Sequence, residues 1–245
     1  MKKNVKLILS YDGSGYHGWQ MQDNAITVQQ CLTQAAEKIF CQKITVTGCS
    51  RTDSKVHANT FCCSFKFEGE REEEKIVQGL NSQLPEDIRV FECEYVSDDF
   101  NARFDCKGKE YIYKIWNGRI ANPFLNRYAL FYPYKLDADL LDRQAKDFIG
   151  TYDFSAFCAS GSVVKDTVRT IKDCSVRREG DLVIFSVTGD GFLYNMVRIM
   201  VGTLLYINSG KIEKDTIPQI IESKDRTKAG ITARPEGLYL NKVFY

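Results

Sequence analysis

Gly48-Cys-Ser-Arg-Thr-Asp-Ser-Lys-Val-His-Ala58 is a polar stretch between two runs of β-prone residues, 43–47 and 60–67. The β-branched and aromatic side chains of both runs predict half-buried strands. The stretch between them carries more functional groups than a turn requires, namely Arg51, Asp53, Lys55 and His57. A surface loop whose Asp and Ser side chains satisfy its own backbone has the same local pattern. An active site and an ordinary loop therefore remain alternatives at this point.

Strands and helices alternate around this stretch in the first hundred residues. Residues 5–11 predict a first strand, and apolar residues at helical spacing predict a helix over 28–40. A second helix over 73–84 and a strand over 88–96 follow the two strands that flank the polar stretch. The resulting order, β-α-β-β-α-β, is that of a ferredoxin-like unit, which is also the topology of the RNA-recognition motif.

Residues 12–20, Asp-Gly-Ser-Gly-Tyr-His-Gly-Trp-Gln, contain a G-x-G-x-x-G pattern after the first strand. A dinucleotide site needs a helix that begins at the glycines, so that its N-terminus faces the pyrophosphate. Here a capping box, Thr27-Val-Gln-Gln30, places the helix start nine positions after Gly18. The pattern is therefore not interpreted as a dinucleotide fingerprint.

The second half begins after a polar, turn-rich stretch, which predicts two domains, residues 1–104 and 105–245. Its predicted strands are 110–116, 167–177, 182–188 and 237–244, and its predicted helices are 136–149, 192–208 and 211–223, the last interrupted by Pro218. This half is a topological echo of the first without a visible sequence repeat. The predicted fold class is α+β, with two ferredoxin-like (RRM-like) halves whose antiparallel sheets join around a central RNA-binding cleft.

The amino-acid composition excludes several classes of protein. Hydrophobic residues make up 44% and charged residues 27%, which is typical of a globular protein rather than a disordered or membrane protein. The apolar run at the N-terminus is too short for a signal peptide. Nine cysteines without a C-x-x-C pair and only two histidines favour reduced thiols in the cytoplasm, with no disulfide framework and no metal site.

The net charge is only +1, but positive and negative residues are concentrated in different segments of the chain. Residues 102–119 contain five cations and two anions, and Arg103 and Lys109 in this stretch are candidates for RNA binding. Residues 68–74 contain five Glu and one Arg. This pattern favours one basic face toward a polyanion, although a charge run can also be only a solvated surface.

Two further residues, Arg198 and Tyr111, are candidates for a role in catalysis or substrate binding. Arg198 lies in an apolar run, 192–206, that is too short and too polar to span a membrane and predicts a core helix. Its guanidinium must reach solvent or meet a carboxylate, for which Asp53 is the attractive partner. Tyr111, among Lys107, Lys109 and Lys114, is either a sheet residue or a platform on which a nucleobase stacks.

Five motifs occur in order along nearly the whole chain: Asp12 to Gln20, Ser50-Arg-Thr-Asp-Ser-Lys-Val-His-Ala58, Phe100-Asn-Ala-Arg-Phe104 with Tyr111-Ile-Tyr113, Phe192 to Gly202, and Glu236-Gly-Leu-Tyr-Leu240. Together they resemble the motifs of the TruA family of tRNA pseudouridine synthases. The joint match is far more specific than any single motif.

This resemblance implies an isomerase that breaks the uridine N1–C1′ bond, rotates the uracil and rejoins it through C5, without a cofactor or a metal. Asp53 matches the family's nucleophilic aspartate, whose attack at C1′ or at C6, or action through a glycal, the sequence leaves open. Arg198 matches the arginine that pairs with that aspartate. Tyr111 matches the tyrosine that stacks on the target base and is discussed as the base for the C5 proton.

Two more residues match positions that handle the substrate. Leu238 matches an apolar residue that lines the pocket, and Arg51 matches an arginine associated with flipping the target nucleotide out of its stack. His57 is then interpreted as a structural residue. The resemblance also implies a homodimer in which one tRNA contacts both subunits, with substrate uridines at positions 38 to 40 of the anticodon stem-loop.

Four positions depart from the family pattern. Ser50 precedes Arg51, Ser54-Lys55 replaces Ala-Gly beside the nucleophile, and Arg234 stands where a small residue or proline is more usual. Lys55 removes a glycine and adds a cation, so the loop backbone or its RNA contact could differ. Two alternatives therefore stay open: the same chemistry on a ribosomal RNA uridine, and an RNA-binding module without catalysis.

Overall fold

The computed structural model describes residues 2–161 and 164–245 and shows a mixed α+β protein. In chain order its strands, β1 to β10, are Lys2–Tyr11, Thr47–Gly48, His57–Glu68, Ile88–Val96, Gly108–Trp116, Leu130–Phe131, Gly150–Asp153, Val168–Glu179, Leu182–Gly189 and Leu238–Phe244. Its helices, α1 to α5, are Val28–Phe40, Glu73–Gln83, Ala138–Ala145, Met196–Asn208 and Ile217–Ser223.

The chain divides into two compact units. The first comprises Met1–Lys107 with Tyr239–Tyr245, and the second comprises Gly108–Leu238. The predicted domains met between residues 104 and 105 and assigned the whole C-terminus to the second half. In the structure the last residues of the chain lie in the first unit, because most of β10 packs there.

The first unit has the predicted element order β-α-β-β-α-β. In its sheet β1 lies between β4 and β3 and is antiparallel to both. The strand predicted over 43–47 is wrong in extent, because only Thr47 and Gly48 pair with β3. β10 runs parallel to the start of β3, with Tyr239 opposite His57.

The core of the first unit follows from the two periodicities of its sequence. Alternate residues of β1, from Val5 to Leu9, have no exposed surface, as expected for a strand with one face in the core. Helix α1 buries Val28, Leu32, Ala35 and Ala36 along one stripe. At its end Phe40 contacts Phe67, with ring centroids 4.1 Å apart.

Helix α1 begins where the sequence predicts, but only half of the capping box forms. The Thr27 hydroxyl accepts a hydrogen bond from the Gln30 backbone N–H at 3.3 Å. The reciprocal bond is missing, because among the described residues the buried Gln30 Oε1 has no hydrogen-bond partner. Thr27 alone therefore caps the helix.

The sheet of the second unit has the order β5-β9-β8-β7, antiparallel throughout, and the short β6 pairs with β5 in parallel. The short strands β6 and β7 were not predicted, since two to four residues carry too little periodicity. Ten of the thirteen residues of α4 are buried, so this helix lies in the core as predicted. None of the helices in the described part of the chain combines the length and the apolar character that a membrane span requires.

Two helix starts of the second unit differ from the prediction by four or more residues. Helix α4 begins at Met196 rather than at residue 192, because Asn195 takes a left-handed conformation with φ 60°. Helix α5 begins at Ile217, and Pro218 lies in its first turn. Proline is tolerated there because that N–H has no partner within the helix, so Pro218 starts this helix instead of interrupting it.

Two helix-interior glycines provide a matched stability test. Alanine normally stabilises an exposed helix by about 1 kcal/mol relative to glycine. A Cβ at Gly79 would make ordinary contact with the Ile39 side chain at 3.4 Å, so we expect Gly79→Ala to be neutral or stabilising. A Cβ at Gly202 would lie 1.8 Å from the Ile231 carbonyl oxygen, so we expect Gly202→Ala to destabilise by about 1–3 kcal/mol or more.

Urea unfolding of the two variants and the parent checks this pair. Equal midpoints for Gly202→Ala and Gly79→Ala would contradict the close contact between α4 and the backbone at residues 230–231.

Candidate functional site

The Asp53 loop, residues 49–56, connects β2 to β3 and is fastened to the segment after β1. The Thr52 carbonyl accepts a hydrogen bond from Trp19 N at 3.1 Å, and the Thr52 hydroxyl lies 2.8 Å from the Tyr11 hydroxyl. The Tyr16 carbonyl accepts bonds from Lys55 N at 3.1 Å and from the Ser54 hydroxyl at 3.3 Å. These bonds fix the loop on both sides of Asp53, which is half-buried.

The glycines of the 12–20 segment allow this close approach. A Cβ at Gly13 would lie 2.0 Å from the Val56 carbonyl oxygen, and a Cβ at Gly18 would lie 2.4 Å from the Thr52 carbonyl oxygen. Gly18 also has φ 86°, which side chains rarely adopt. Only a single 3₁₀ turn, Gly13–Gly15, follows the strand, so the pattern supports the Asp53 loop instead of a pyrophosphate.

His57 has a structural role in this unit. Its ring is 1% exposed and stacks on Tyr239 with centroids 4.6 Å apart. Its Nδ1 lies 3.1 Å from both Gly13 N and Asp12 Oδ1. The Gly13 N–H can only donate, so Nδ1 is the acceptor in that contact. Through its contacts with Gly13 and Asp12, His57 holds the turn after β1.

Lys55 stands where the family pattern has glycine, and its backbone has the conformation that glycine favours. Its φ is 65°, in the left-handed region. The Lys55 N–H and the Val56 N–H both reach backbone carbonyls, those of Tyr16 and Asp53. Lys55 and Arg51 are both exposed, so the departure adds a cation at the surface and keeps the turn.

Tyr111 lies on β5 in the second unit and is 5% exposed. Phe192 meets its ring edge-on, with centroids 5.1 Å apart and an interplanar angle of 80°. Lys109 shares its strand face, but Lys114 lies on the other face because side chains alternate along a strand. Burial lowers the pKa of Lys114. Of the neighbouring lysines, Lys114 therefore does not share the strand face of Tyr111.

Arg198 uses partners that the sequence analysis did not consider. Its Nε donates to the Ala233 carbonyl at 2.7 Å, and its Nη1 donates to Asn195 Oδ1 at 2.6 Å. Asn195 is the residue whose left-handed conformation starts α4. The irregular start of the helix thereby orients the guanidinium, and no periodicity in the sequence indicated this.

Tyr113 is a residue that the sequence analysis named only as a neighbour of Tyr111. Its hydroxyl donates to the Arg234 carbonyl at 2.6 Å, and burial raises its pKa. A Cβ at Gly237 would lie 2.7 Å from the Tyr113 ring, which accounts for the glycine before Leu238. Leu238 is 5% exposed. Arg234 Nε contacts Glu236 Oε1 at 2.6 Å, so this unusual arginine is engaged within its own turn.

The remaining predicted site residues divide between the units. Arg51, Asp53, Lys55 and Arg103 belong to the first unit, and Lys109, Tyr111, Arg198 and Leu238 belong to the second. Arg103 is exposed, and its guanidinium lies 5.8 Å from the centroid of the Phe104 ring, which is 78% exposed. In the described part of the chain, no group of three or more His, Cys, Asp or Glu side chains could hold a metal ion.

Comparisons with known proteins agree on one family. A family model described as tRNA pseudouridine synthase matches residues 7–105 and 144–245. The tRNA pseudouridine synthase A of Clostridium acetobutylicum is 48% identical over 244 residues, which cover 99% of this chain and 100% of that protein. The enzyme of the same name from Acetivibrio thermocellus is 47% identical over 243 residues, with the same coverage of both chains.

The left-handed conformation of Lys55 gives a stability prediction. In this region a residue with a Cβ lowers the free energy of unfolding by about 1–2 kcal/mol. Glycine avoids that loss, but the larger entropy of its unfolded chain lowers the free energy of unfolding by about 0.5–1 kcal/mol. We therefore expect Lys55→Gly to raise the free energy of unfolding by up to about 1 kcal/mol. Lys55→Ala is the matched control, because it removes the charge and keeps the Cβ.

Urea denaturation of both variants measures the effect. Equal changes in Lys55→Gly and Lys55→Ala would assign it to charge and contradict the conformational explanation.

Proposed function

The chain belongs to the tRNA pseudouridine synthase family, and on that premise we propose that it isomerises uridine in the anticodon stem-loop of tRNA with Asp53 as the nucleophile. Members of this family are isomerases that convert uridine to pseudouridine, so the protein is an enzyme that forms pseudouridine in tRNA. Positions 38 to 40 are the proposed targets. One observation supports the assignment of Asp53. It lies in a loop that resembles the family motif and is hydrogen-bonded to the segment after β1.

Asp53 suits nucleophilic catalysis because its backbone is held from both sides. Thr52 and Lys55, its neighbours along the chain, hydrogen-bond to Trp19 and Tyr16. A loop backbone fixed in this way limits the positions that the Asp53 carboxylate can take, and positioning of reacting groups is a large part of catalysis. Its side chain is half-buried, so it is partly shielded from water and still accessible.

Arg198 is the proposed partner of the Asp53 carboxylate. A neighbouring guanidinium keeps a carboxylate ionised in a site from which water is largely excluded. The hydrogen bonds to Ala233 and Asn195 support this role, because they fix the Nε and Nη1 edges of the guanidinium. Arginine cannot act as a proton donor under ordinary conditions, so its role is electrostatic.

Tyr111 is the proposed platform for the target uracil, and Leu238 the proposed apolar wall of its pocket. The edge-on contact with Phe192 supports the first role, because it sets the plane of the Tyr111 ring. In the isomerisation the N1–C1′ bond breaks and a C5–C1′ bond forms. C5 then loses its proton and N1 gains one, so the overall reaction needs no redox partner. Tyr111 is a candidate base for the C5 proton.

The exposed cations are proposed to bind the RNA. Arg51, Lys55 and Arg103 lie at the surface, and Lys109 is half-buried on the strand face of Tyr111. Lysine and arginine side chains neutralise phosphates and release counterions, so they give affinity without sequence selection. Arg51 is further proposed to occupy the space of the flipped nucleotide.

The finer architecture and the compartment are also proposals. We propose that each unit is a ferredoxin-like (RRM-like) half and that the two sheets join around the RNA-binding cleft. The element order of the first unit, with β1 between β4 and β3, supports this for that unit. The cytoplasm is the proposed location, since this is where tRNA and reduced thiols coincide.

Release of tritium from tRNA labelled at uracil C5 tests the nucleophile. We expect Asp53→Asn to abolish release, because the amide is nearly isosteric with the carboxylate but cannot act as a nucleophile. Asp98→Asn, at an exposed position of the same unit, is the matched control and should retain full activity. Normal release by folded Asp53→Asn would overturn the assignment.

A homodimer is proposed as well, and one surface supports it. The 120–134 patch consists of Ile120, Phe124, Phe131 and Tyr134, which are 80%, 86%, 38% and 72% exposed. Trp116 orders this loop, since its Nε1 donates to the Ile120 carbonyl and its carbonyl accepts from Tyr132 N, both at 2.9 Å. Large exposed apolar patches mark interfaces, and homodimer interfaces are the more apolar ones.

We expect Phe124→Ser to shift the dimer toward the monomer, with at least about a tenfold rise in the dissociation constant. Phe91→Ser is the matched control, because Phe91 is 61% exposed on β4 of the first unit. Sedimentation velocity over a concentration series measures both variants. A monomeric parent, or equal dissociation constants for the two variants, would contradict this use of the patch.

A further inference from the structure

Asp87 makes two contacts with the segment that holds the Asp53 loop. It lies between α2 and β4, directly before Ile88. Its carbonyl accepts a hydrogen bond from Asp12 N at 2.9 Å. Its carboxylate accepts one from the Tyr16 hydroxyl at 2.5 Å. One residue thereby fastens both ends of the short turn from Asp12 to Tyr16.

Tyr16 connects this contact to the loop. Its carbonyl accepts the bonds from Lys55 N and the Ser54 hydroxyl described above. Its side chain is only 5% exposed. Burial, followed by the hydrogen bond to Asp87, raises the pKa of Tyr16, so the hydroxyl stays protonated and donates. The hydrogen bond to Asp87 therefore sets the direction in which the Tyr16 hydroxyl points.

The other end of the turn reaches the far side of the loop. Gly13 N donates to His57 Nδ1, and the Gly13 Cα lies against the Val56 carbonyl. The turn thus contacts Ser54 and Lys55 at one end and Val56 and His57 at the other. These four residues directly follow Asp53 in the chain. Movement of the turn would move the backbone that carries the Asp53 carboxylate.

We propose that Asp87 is a positioning residue for the Asp53 nucleophile and acts through Tyr16. This inference rests on the proposed function of Asp53. A carboxylate is suited to the role because a hydrogen bond to a charged acceptor is stronger than one between neutral groups. Without it the part-buried Tyr16 hydroxyl loses this acceptor, and the ring and the turn are free to shift. Displacement of a reacting group by about 1 Å can cost about a hundredfold in rate.

Four variants separate positioning from general stability. Asp87→Ala and Tyr16→Phe each remove the hydrogen bond, and the double variant removes both partners. Asp87→Asn keeps an oxygen that accepts from the Tyr16 hydroxyl. Glu86→Ala is the matched control, because Glu86 is the exposed acidic neighbour. Steady-state tritium release gives kcat and KM for tRNA, and urea unfolding confirms that each variant is folded at the assay temperature.

We expect kcat to fall about 10- to 100-fold in Asp87→Ala and in Tyr16→Phe, with KM for tRNA within about twofold of the parent. The double variant should be no slower than the slower single variant, since both act on one contact. Asp87→Asn should recover kcat to within about threefold of the parent, because its amide oxygen still accepts the bond. Glu86→Ala should match the parent.

Three results would overturn the inference. These are an Asp87→Ala kcat equal to that of Glu86→Ala, a loss expressed in KM alone, and an Asp87→Asn variant as slow as Asp87→Ala. If Asp87→Ala does not fold, Tyr16→Phe decides on the same criteria, because it removes one hydroxyl and keeps the ring. An inactive parent would contradict the proposed function itself. A parent that is active and loses activity in Asp53→Asn but not in these variants would reject only the role of Asp87.

Discussion

The contact between two backbone segments determines how the first unit presents Asp53. The turn after β1 lies so close to the Asp53 loop that a Cβ at Gly13 or Gly18 would collide with a carbonyl oxygen of the loop. Carbonyl oxygens cannot move aside as flexible side chains can, so glycine is required at both positions. The approach allows direct backbone hydrogen bonds, from Trp19 to Thr52 and from Lys55 to Tyr16. A loop that would otherwise be mobile is thereby attached to the central strand β1.

This constraint explains several residues that have no direct chemical role. His57 accepts from Gly13 N and stacks on Tyr239, so it connects the turn to β10. Trp19 fills the space beside Gly48, where a Cβ would lie 2.6 Å from its ring. Lys55 keeps a left-handed backbone conformation because its N–H donates a hydrogen bond to the Tyr16 carbonyl. In the second unit Tyr113 and Gly237 form a comparable close contact before Leu238.

Long periodic elements could be predicted from the sequence, and contacts between distant loops could not. The bounds of α1 and β4 agree with the prediction because their apolar patterns are long and regular. The start of α4 was misplaced because a left-handed Asn195 interrupts an apolar run without changing its composition. The importance of Asp53 came from the resemblance of its loop to a family. The roles of Gly13, Gly18 and Asp87 needed coordinates, since their partners lie 34 or more positions away in the chain.

We propose that this loop carries the nucleophile of an enzyme that forms pseudouridine in tRNA. Mapping of pseudouridines across the total RNA of cells that lack the gene tests it most directly, with the parent or Asp53→Asn protein supplied in trans. We expect loss of pseudouridine at tRNA positions 38 to 40, restored by the parent protein and not by Asp53→Asn. Unchanged tRNA with a missing ribosomal RNA pseudouridine, or restoration by Asp53→Asn, would contradict it.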